Sequence, residues 1–197
     1  MILVLTLNVI FKNRIMKKVL LTIGILSVFF TVKSQSLYKT VSSDVSFFSS
    51  TPMEDIKATS KESQSIINAS NNEVAVVIGN RSFHFPSALM EEHFNENYME
   101  SDKFKLSIFK GKINEKIEFN TDFKQEVTAT GTIEIHGVSQ NKTISGNLIK
   151  KGSKMILNSK FKIALKDFKI EVPKVVGNSI AEEIEITVEF VYEPKQK

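Results

Sequence analysis

The sequence contains no cysteine and no tryptophan, and only three of its 197 residues are histidines. The absence of cysteine excludes a disulfide framework and thiol chemistry, so the fold must be stabilised by packing. The histidines, His84, His93 and His136, do not form an HExxH motif or another close metal-binding spacing. A GxSxG nucleophile elbow and a glycine-rich phosphate loop are also missing. We therefore expect neither a bound metal nor a catalytic residue.

The part of the chain that is expected to fold also lacks an excess of positive charge. The whole chain is formally +4, but five of its 26 basic residues and none of its 22 acidic residues precede residue 35. The remaining chain therefore carries a formal net charge of −1 and has no long block of like charge. These features do not indicate binding to nucleic acid.

Residues 1–34 have the features of a secretory signal peptide. Met16-Lys17-Lys18 is a short basic region, and the apolar run at 19–32 is shorter than the ~20 residues of a spanning helix. Val32 and Ser34 suit the −3 and −1 positions of a cleavage site. Translation from Met16 would give an ordinary signal peptide. We expect an exported protein, periplasmic or secreted, and an uncleaved membrane anchor is the alternative.

Residues 35–197 are enough for one domain but not comfortably for two. Most of this part alternates between apolar and polar residues, which is typical of antiparallel sheet with one wet face. Several such strands joined by short turns indicate a sandwich or a barrel. Their similar lengths favour sequential pairing, and a barrel of about eight strands removes exposed edges. We predict an all-β antiparallel barrel.

Three local predictions are specific enough to compare with a structure. Residues 82–85 are predicted to form a strand. Residues 104–108 alternate so that Leu106 and Ile108 would lie on the apolar face. Residues 111–123 alternate in the same way and predict a further strand.

One short helix is predicted to interrupt the strands. Between residues 87 and 97, Leu89, Met90, His93 and Phe94 recur at helical spacing. The face that they form is apolar. A single helix in an all-β chain usually covers something, so we predict a lid over an apolar cavity.

Three segments in this order resemble the YceI-like family of exported lipocalin-like proteins. Residues 83–111 resemble its strand, short helix and Phe-x-Gly strand end, and residues 131–138 resemble its Gly-x-Leu-x-Ile-His-Gly-Val segment. Residues 165–173 resemble its Asp-aromatic-x-Ile-x-x-Pro segment. The resemblance implies that residues 35–197 are a single YceI-like domain with a lipocalin-like antiparallel β-barrel. It also implies an elongated apolar interior that holds an isoprenoid chain, such as a polyprenyl lipid or a quinone. A homodimer is compatible with the family likeness.

The candidate ligand-binding residues are side chains of the predicted inner faces and of the lid. They are Phe47, Phe83, Phe85, Leu89, Met90, His93, Phe94, Phe104, Phe109, Phe119, Ile133, Ile135, Phe161 and Ile163. The phenylalanines among them would form either a packed core or the lining of a cavity, and the lid and the family resemblance favour a lining. His93 falls beside Leu89, where it is a candidate for one hydrogen bond to a ligand's polar head.

The function that these observations predict is the non-catalytic binding of a long apolar isoprenoid lipid in the cell envelope. We expect no cofactor besides that lipid, which would be a polyprenyl lipid or an isoprenoid quinone. One alternative is a packed β-barrel that acts as an envelope stress or protein-interaction module and has no lipid ligand. A small hydrolase is a further alternative, but a convergent nucleophile and base are not apparent.

Overall fold

The computed structural model describes residues 37–173 and 179–195. The predicted signal peptide at 1–34 lies outside these residues. Within them, no helix has the length and apolar character that crossing a membrane requires. Nine strand segments make up most of the described chain: β1 Leu37–Ser50, β2 Asp55–Ser60, β3 Gln64–Asn68, β4 Glu73–Gly79, β5 Leu106–Ile113, β6 Phe123–Ile135, β7 Val138–Lys151, β8 Lys154–Ala164 and β9 Glu183–Pro194.

The nine segments form a closed antiparallel barrel. From β3 onward each strand pairs with the next, and β9 returns to pair with β1. β2 and β3 both pair with β1, β2 along residues 45–50 and β3 along residues 37–39. They share one strand position because they lie end to end, and the barrel therefore has eight positions. The predicted lipocalin-like antiparallel barrel of about eight strands is confirmed.

One end of the barrel is filled by side chains. Ile67, Leu148, Met155 and Tyr192 have no exposed surface there. The Tyr192 hydroxyl donates to Ser65 Oγ at 2.8 Å. Burial raises the pKa of Tyr192, and the bond to Ser65 opposes this shift in part. Because the buried hydroxyl has a hydrogen-bond partner, the tyrosine can seal this end without an unsatisfied polar group.

The predicted short helix near residues 87–97 is confirmed. It consists of α1, Ala88–His93, and a π-helical turn at Phe94–Tyr98 that continues it. The N–H of Met90 donates to Ser87 Oγ at 3.4 Å, which caps the first turn. The Glu91 carboxylate accepts the backbone N–H of Phe85 at 3.1 Å. These bonds fix where the helix begins. We call residues 87–98 the lid.

The predicted strand at residues 111–123 is wrong because β5 ends at Ile113. The Asn114 side-chain amide donates to the Thr128 hydroxyl at 2.8 Å, and the Glu115 carboxylate accepts the Thr128 N–H at 2.7 Å. The Asn114 N–H still donates to the carbonyl oxygen of Thr128 at 2.9 Å, but the Glu115 carboxylate takes the Thr128 N–H that would continue the ladder. The alternating residues beyond them belong to a loop.

The prediction that Leu106 lies on an apolar inner face is also wrong. Leu106 is 45% exposed, whereas Phe109 on the same strand is buried. Phe109 pairs with Ile133, a buried residue of β6. That register directs the odd-numbered residues of β5 inward.

The predicted strand at residues 82–85 is reduced to a single antiparallel bridge. His84 and Thr59 exchange two backbone hydrogen bonds of 2.9 and 3.1 Å. β4 ends at Gly79, and a 3-10 turn at Asn80–Ser82 separates it from the bridge. The bridge holds the segment against β2, and Phe83 and Phe85 on either side of it point into the barrel.

The β6–β7 hairpin is tied to two other loops through His136. His136 (φ 52°) and Gly137 (φ 71°) form its two-residue turn, with both residues in the left-handed region that such turns need. His136 Nε2 lies 2.9 Å from Glu100 Oε2, and Nδ1 lies 3.2 Å from the carbonyl oxygen of Phe168. The Phe104 ring packs against the imidazole with the ring centroids 4.4 Å apart. We call this group the His136 node.

We expect His136→Asn to lower the free energy of unfolding by about 1–3 kcal/mol, because the carbonyl oxygen of the buried residue Phe168 loses its hydrogen-bond donor. Asparagine tolerates a positive φ but is too short to make both contacts, so the loss reports the side chain and not the turn. Urea unfolding measures the change. Lys169→Asn is the control, since Lys169 has φ 54° and an exposed side chain. Equal stability of the His136 variant and the wild type would contradict the role of the node.

The barrel wall is tight where Gly111 of β5 faces Gly131 of β6. A Cβ atom at Gly131 would overlap the backbone of Lys110 and Gly111. At Gly79 the nearest atom to an added Cβ is the Ser82 hydroxyl oxygen at 3.8 Å, which is an ordinary contact.

We expect Gly131→Ala to destabilise the barrel by about 2 kcal/mol, because overpacking against a fixed backbone costs ~1–3 kcal/mol. Gly79→Ala should change the free energy of unfolding by no more than about 0.5 kcal/mol. Urea denaturation of both variants tests this difference. Similar losses in the two variants would show that the close approach of β5 and β6 is not the cause.

Candidate functional site

The open half of the barrel contains a cavity of about 500 Å³. Its walls are the inner faces of the strands and the inner side of the lid, and they are almost entirely hydrocarbon. Most of the residues predicted to bind ligand lie on this wall: Phe47, Phe83, Phe85, Leu89, Met90, His93, Phe94, Phe109, Ile133, Ile135, Phe161 and Ile163. Their role in binding stays a prediction.

The structure places Phe104 and Phe119 away from the cavity wall. Phe104 belongs to the His136 node, and the Lys103 ammonium lies 4.6 Å from its ring centroid. Phe119 stacks on Tyr38 with centroids 5.8 Å apart and meets Phe123 edge-on at 6.2 Å. Phe119 lies in the loop that follows β5, so it packs against the sealed end and not along a strand.

An aromatic cluster joins the lid to the barrel wall. The Phe47 ring centroid lies 5.2 Å from that of Phe83, 5.6 Å from that of Phe85 and 5.3 Å from that of Phe94. Phe94 also meets Phe83 at 5.8 Å and Phe85 at 5.2 Å. Distances and tilts of this kind are favourable for aromatic pairs. Phe94 therefore fastens the lid to β1 and to the bridged segment.

The rim of the cavity exposes apolar surface on the lid. Leu89 is 58% exposed although it also contacts the cavity, and Met90 is half-buried. His93 is exposed and faces the cavity mouth. The neighbouring Glu91 is directed elsewhere, with Oε2 3.4 Å from His84 Nδ1. In the described chain, no three His, Asp or Glu side chains converge as metal ligands.

The few polar groups of the cavity wall are mostly engaged within the protein. Asn80 is fully buried, donates to the carbonyl oxygen of Phe104 at 2.6 Å, and accepts from the Ser107 hydroxyl at 2.8 Å. Burial raises the pKa of Tyr98. Glu54 is the acidic residue among the described residues that line the cavity, and lysine and arginine are absent from them.

The sequence-based set of candidate residues omitted several parts of the wall. These are mainly inward residues of the later strands and of the lid's end, namely Val127, Ala129, Ile144, Leu157, Ile184, Ile186, Val188, Phe190, Tyr98 and Met99. The alternation that predicted the barrel also predicts that most of these omitted strand residues face inward. Glu54 had no sequence signal, because its position depends on the β1–β2 turn.

Comparison with known proteins agrees with this architecture. The model of the YceI-like domain family matches residues 26–192. No curated protein matches the chain. The fold resembles that of a polyisoprenoid binding domain from Saccharophagus degradans implicated in plant cell wall breakdown. That comparison has a TM-score of 0.70 and 13% identity, and it covers 82% of this chain and all of the other.

Two further solved structures share the fold. BcnA from Burkholderia cenocepacia has a TM-score of 0.64 and 16% identity, with 76% of this chain and 95% of BcnA covered. The YCEI protein from Campylobacter jejuni has a TM-score of 0.53 and 18% identity, with 66% and 78% covered. Such identities establish a common fold, whereas the family match extends over most of the sequence. The chain belongs to the YceI-like family.

Proposed function

We propose that this protein binds a long apolar isoprenoid lipid, either a polyprenyl lipid or an isoprenoid quinone, and that it does so without catalysis. The observation that carries the proposal is the apolar cavity of about 500 Å³ under the lid. Small-molecule sites commonly have volumes of ~300–1,000 Å³. The Saccharophagus degradans relative is a polyisoprenoid binding domain, which supports the same class of ligand.

The affinity would come from burial of the hydrocarbon chain. Removing each methylene group from water contributes ~0.8 kcal/mol, so several isoprene units bind without any specific hydrogen bond. The side chains that line an empty cavity have no dispersion contacts on the cavity side, and a bound ligand supplies them. An apolar wall with few free polar groups is therefore the chemistry that an isoprenoid tail needs.

The packed-barrel alternative is disfavoured by the distribution of side chains. Tyr192 and its neighbours fill one end, but the phenylalanines of the other end surround a space and do not occupy it. Export to the cell envelope remains part of the proposal and is supported by the signal-peptide features of residues 1–34.

The proposal is tested by organic extraction of residues 35–197, purified from a bacterial periplasm, followed by mass spectrometry. We expect a prenyl lipid or quinone in stoichiometric amount. An empty extract, together with no uptake of added quinone or prenol, would favour the packed interaction module.

We expect Phe94→Asp to remove most of the co-purified lipid, because it places a charge in the aromatic cluster and loosens the lid. Leu106→Asp introduces the same charge on the outer face of β5 and should leave the lipid content unchanged. The lipid-to-protein ratio is measured by mass spectrometry, and circular dichroism verifies that both variants are folded. Full lipid occupancy of a folded Phe94 variant would count against the proposed site.

The charges at the mouth favour an uncharged head group. Glu54 is the acidic residue of the wall, and the described lining residues supply no lysine or arginine to pair with an anion. An anion brought into an apolar pocket without a partner loses hydration that is not replaced. A quinone or a prenol therefore fits the mouth better than a prenyl phosphate.

We expect farnesol to bind at least about ten-fold more tightly than farnesyl phosphate, which corresponds to ~1.4 kcal/mol. Glu54→Gln should reduce this preference, whereas Glu73→Gln, at an exposed position outside the wall, should not. Both ligands are compared at pH 8 by displacement of the neutral fluorophore N-phenylnaphthylamine. Equal affinities of the two ligands for the wild type would contradict the preference.

A further inference from the structure

The barrel wall is interrupted between β7 and β8. Pairing runs from Lys151–Lys154 near the hairpin to Gly146–Ser159. Both strands lie wholly within the described chain and continue beyond that pair, but their ladder has no further pairs there. The first half of β7 pairs with β6, and the second half of β8 pairs with β9. The two strands therefore diverge, because each follows its other neighbour.

The opening has defined borders. Gly146 and Ser159 form the border nearer the sealed end, where the Ser159 hydroxyl donates to the carbonyl oxygen of Ser145 at 2.5 Å. The 3-10 turn at Leu165–Phe168 crosses the opposite border, where the Gln140 side-chain amide donates to the carbonyl oxygen of Asp167 at 3.0 Å. We call the opening between these borders the side window.

Apolar side chains connect the side window to the cavity. Ile144 and Phe161 lie beside the part of the two strands that is not paired, and both line the cavity and are only half-buried. In contrast, Leu148 and Met155, within the paired part of the ladder, have no exposed surface. The apolar inner wall thus continues to both edges of the window.

A polar groove lies outside the same opening. Its walls include Glu126, Asn147, Asn158 and Lys160, and it meets the cavity at Ser145, Gly146 and Ser159. Backbone groups along the two unpaired strand edges can bond to water from this groove, so the interruption does not require buried unsatisfied groups. The groove therefore brings solvent to the Gly146–Ser159 border of the side window.

The size of the cavity indicates a role for the side window. A cavity of about 500 Å³ has the size of an ordinary small-molecule site, which encloses a ligand of drug-like size. A longer chain must continue outside the interior. The sealed end blocks the barrel axis in one direction, and the side window is a second opening besides the mouth, with Ile144 and Phe161 on its inner border.

We propose that the hydrocarbon chain of a ligand longer than the cavity leaves the barrel sideways between β7 and β8, through the side window. The inference rests on the proposed function. It means that chain length is not limited by the interior, since the distal isoprene units lie across the window while the proximal units fill the cavity.

The test closes the window in a chain that has no native cysteine. Thr143→Cys with Lys162→Cys places two thiols at exposed positions on opposite sides of the window, and a short bis-maleimide joins them. The control is Thr130→Cys with Thr143→Cys, joined in the same way across strands that are already paired. A second closing variant, Ser145→Trp, places a bulky ring at the border. Farnesol and the much longer solanesol are measured by displacement of N-phenylnaphthylamine.

We expect closure by either route to weaken solanesol binding at least ten-fold and to change farnesol binding less than two-fold, while the control leaves both unchanged. Unaltered solanesol affinity in both closing variants would overturn the inference, because the chain would then leave by another path. Failure of the wild type to bind solanesol while it binds farnesol would also overturn it. If the wild type bound neither prenol, the proposed function itself would fail.

Discussion

Closure of the sheet by the β1–β9 ladder is the constraint on which the rest of the structure depends. Ten residue pairs, from Tyr38–Pro194 to Phe48–Glu185, join the first strand of the barrel to the last. Just beyond them, the Lys195 N–H donates to the carbonyl oxygen of Leu37 at 2.7 Å. Without this ladder the sheet would have two exposed edges and no interior. With it, one face of every strand becomes part of a single wall.

Phe47 connects that closure to the lid. It lies in β1 between Ile186 of β9 and Ala58 of β2, and its ring stacks on Phe94 of the lid at 5.3 Å. The position of the lid therefore depends on the same strand that closes the barrel. A chain in the cavity would contact an aromatic surface that belongs to both parts. The shape of the mouth and the integrity of the sheet are thus linked through one side chain.

The sequence predicted the barrel and the lid because both arise from patterns that repeat over many residues. It predicted much of the cavity wall for the same reason. Phe104 and Phe119 lie elsewhere because residues near turns pack against partners that periodicity does not reveal. The end of β5 was not predictable, since the Glu115 side chain takes a backbone N–H of Thr128 there without disturbing the alternation. The side window was missed because β7 and β8 keep their alternation where their pairing stops.

The left-handed residues around the His136 node have a consequence for how the lid opens. Glu100, His136 and Lys169 all have φ values between 43° and 54°, and their loops meet at this node. Such conformations persist only where the surroundings hold them. The chain that leaves the lid is therefore anchored at this node, and the chain that enters it is held by the bridge at His84 and by the bond from the Phe85 N–H to Glu91. The lid is thus tied to the barrel at both ends, and opening it requires breaking one of these sets of contacts.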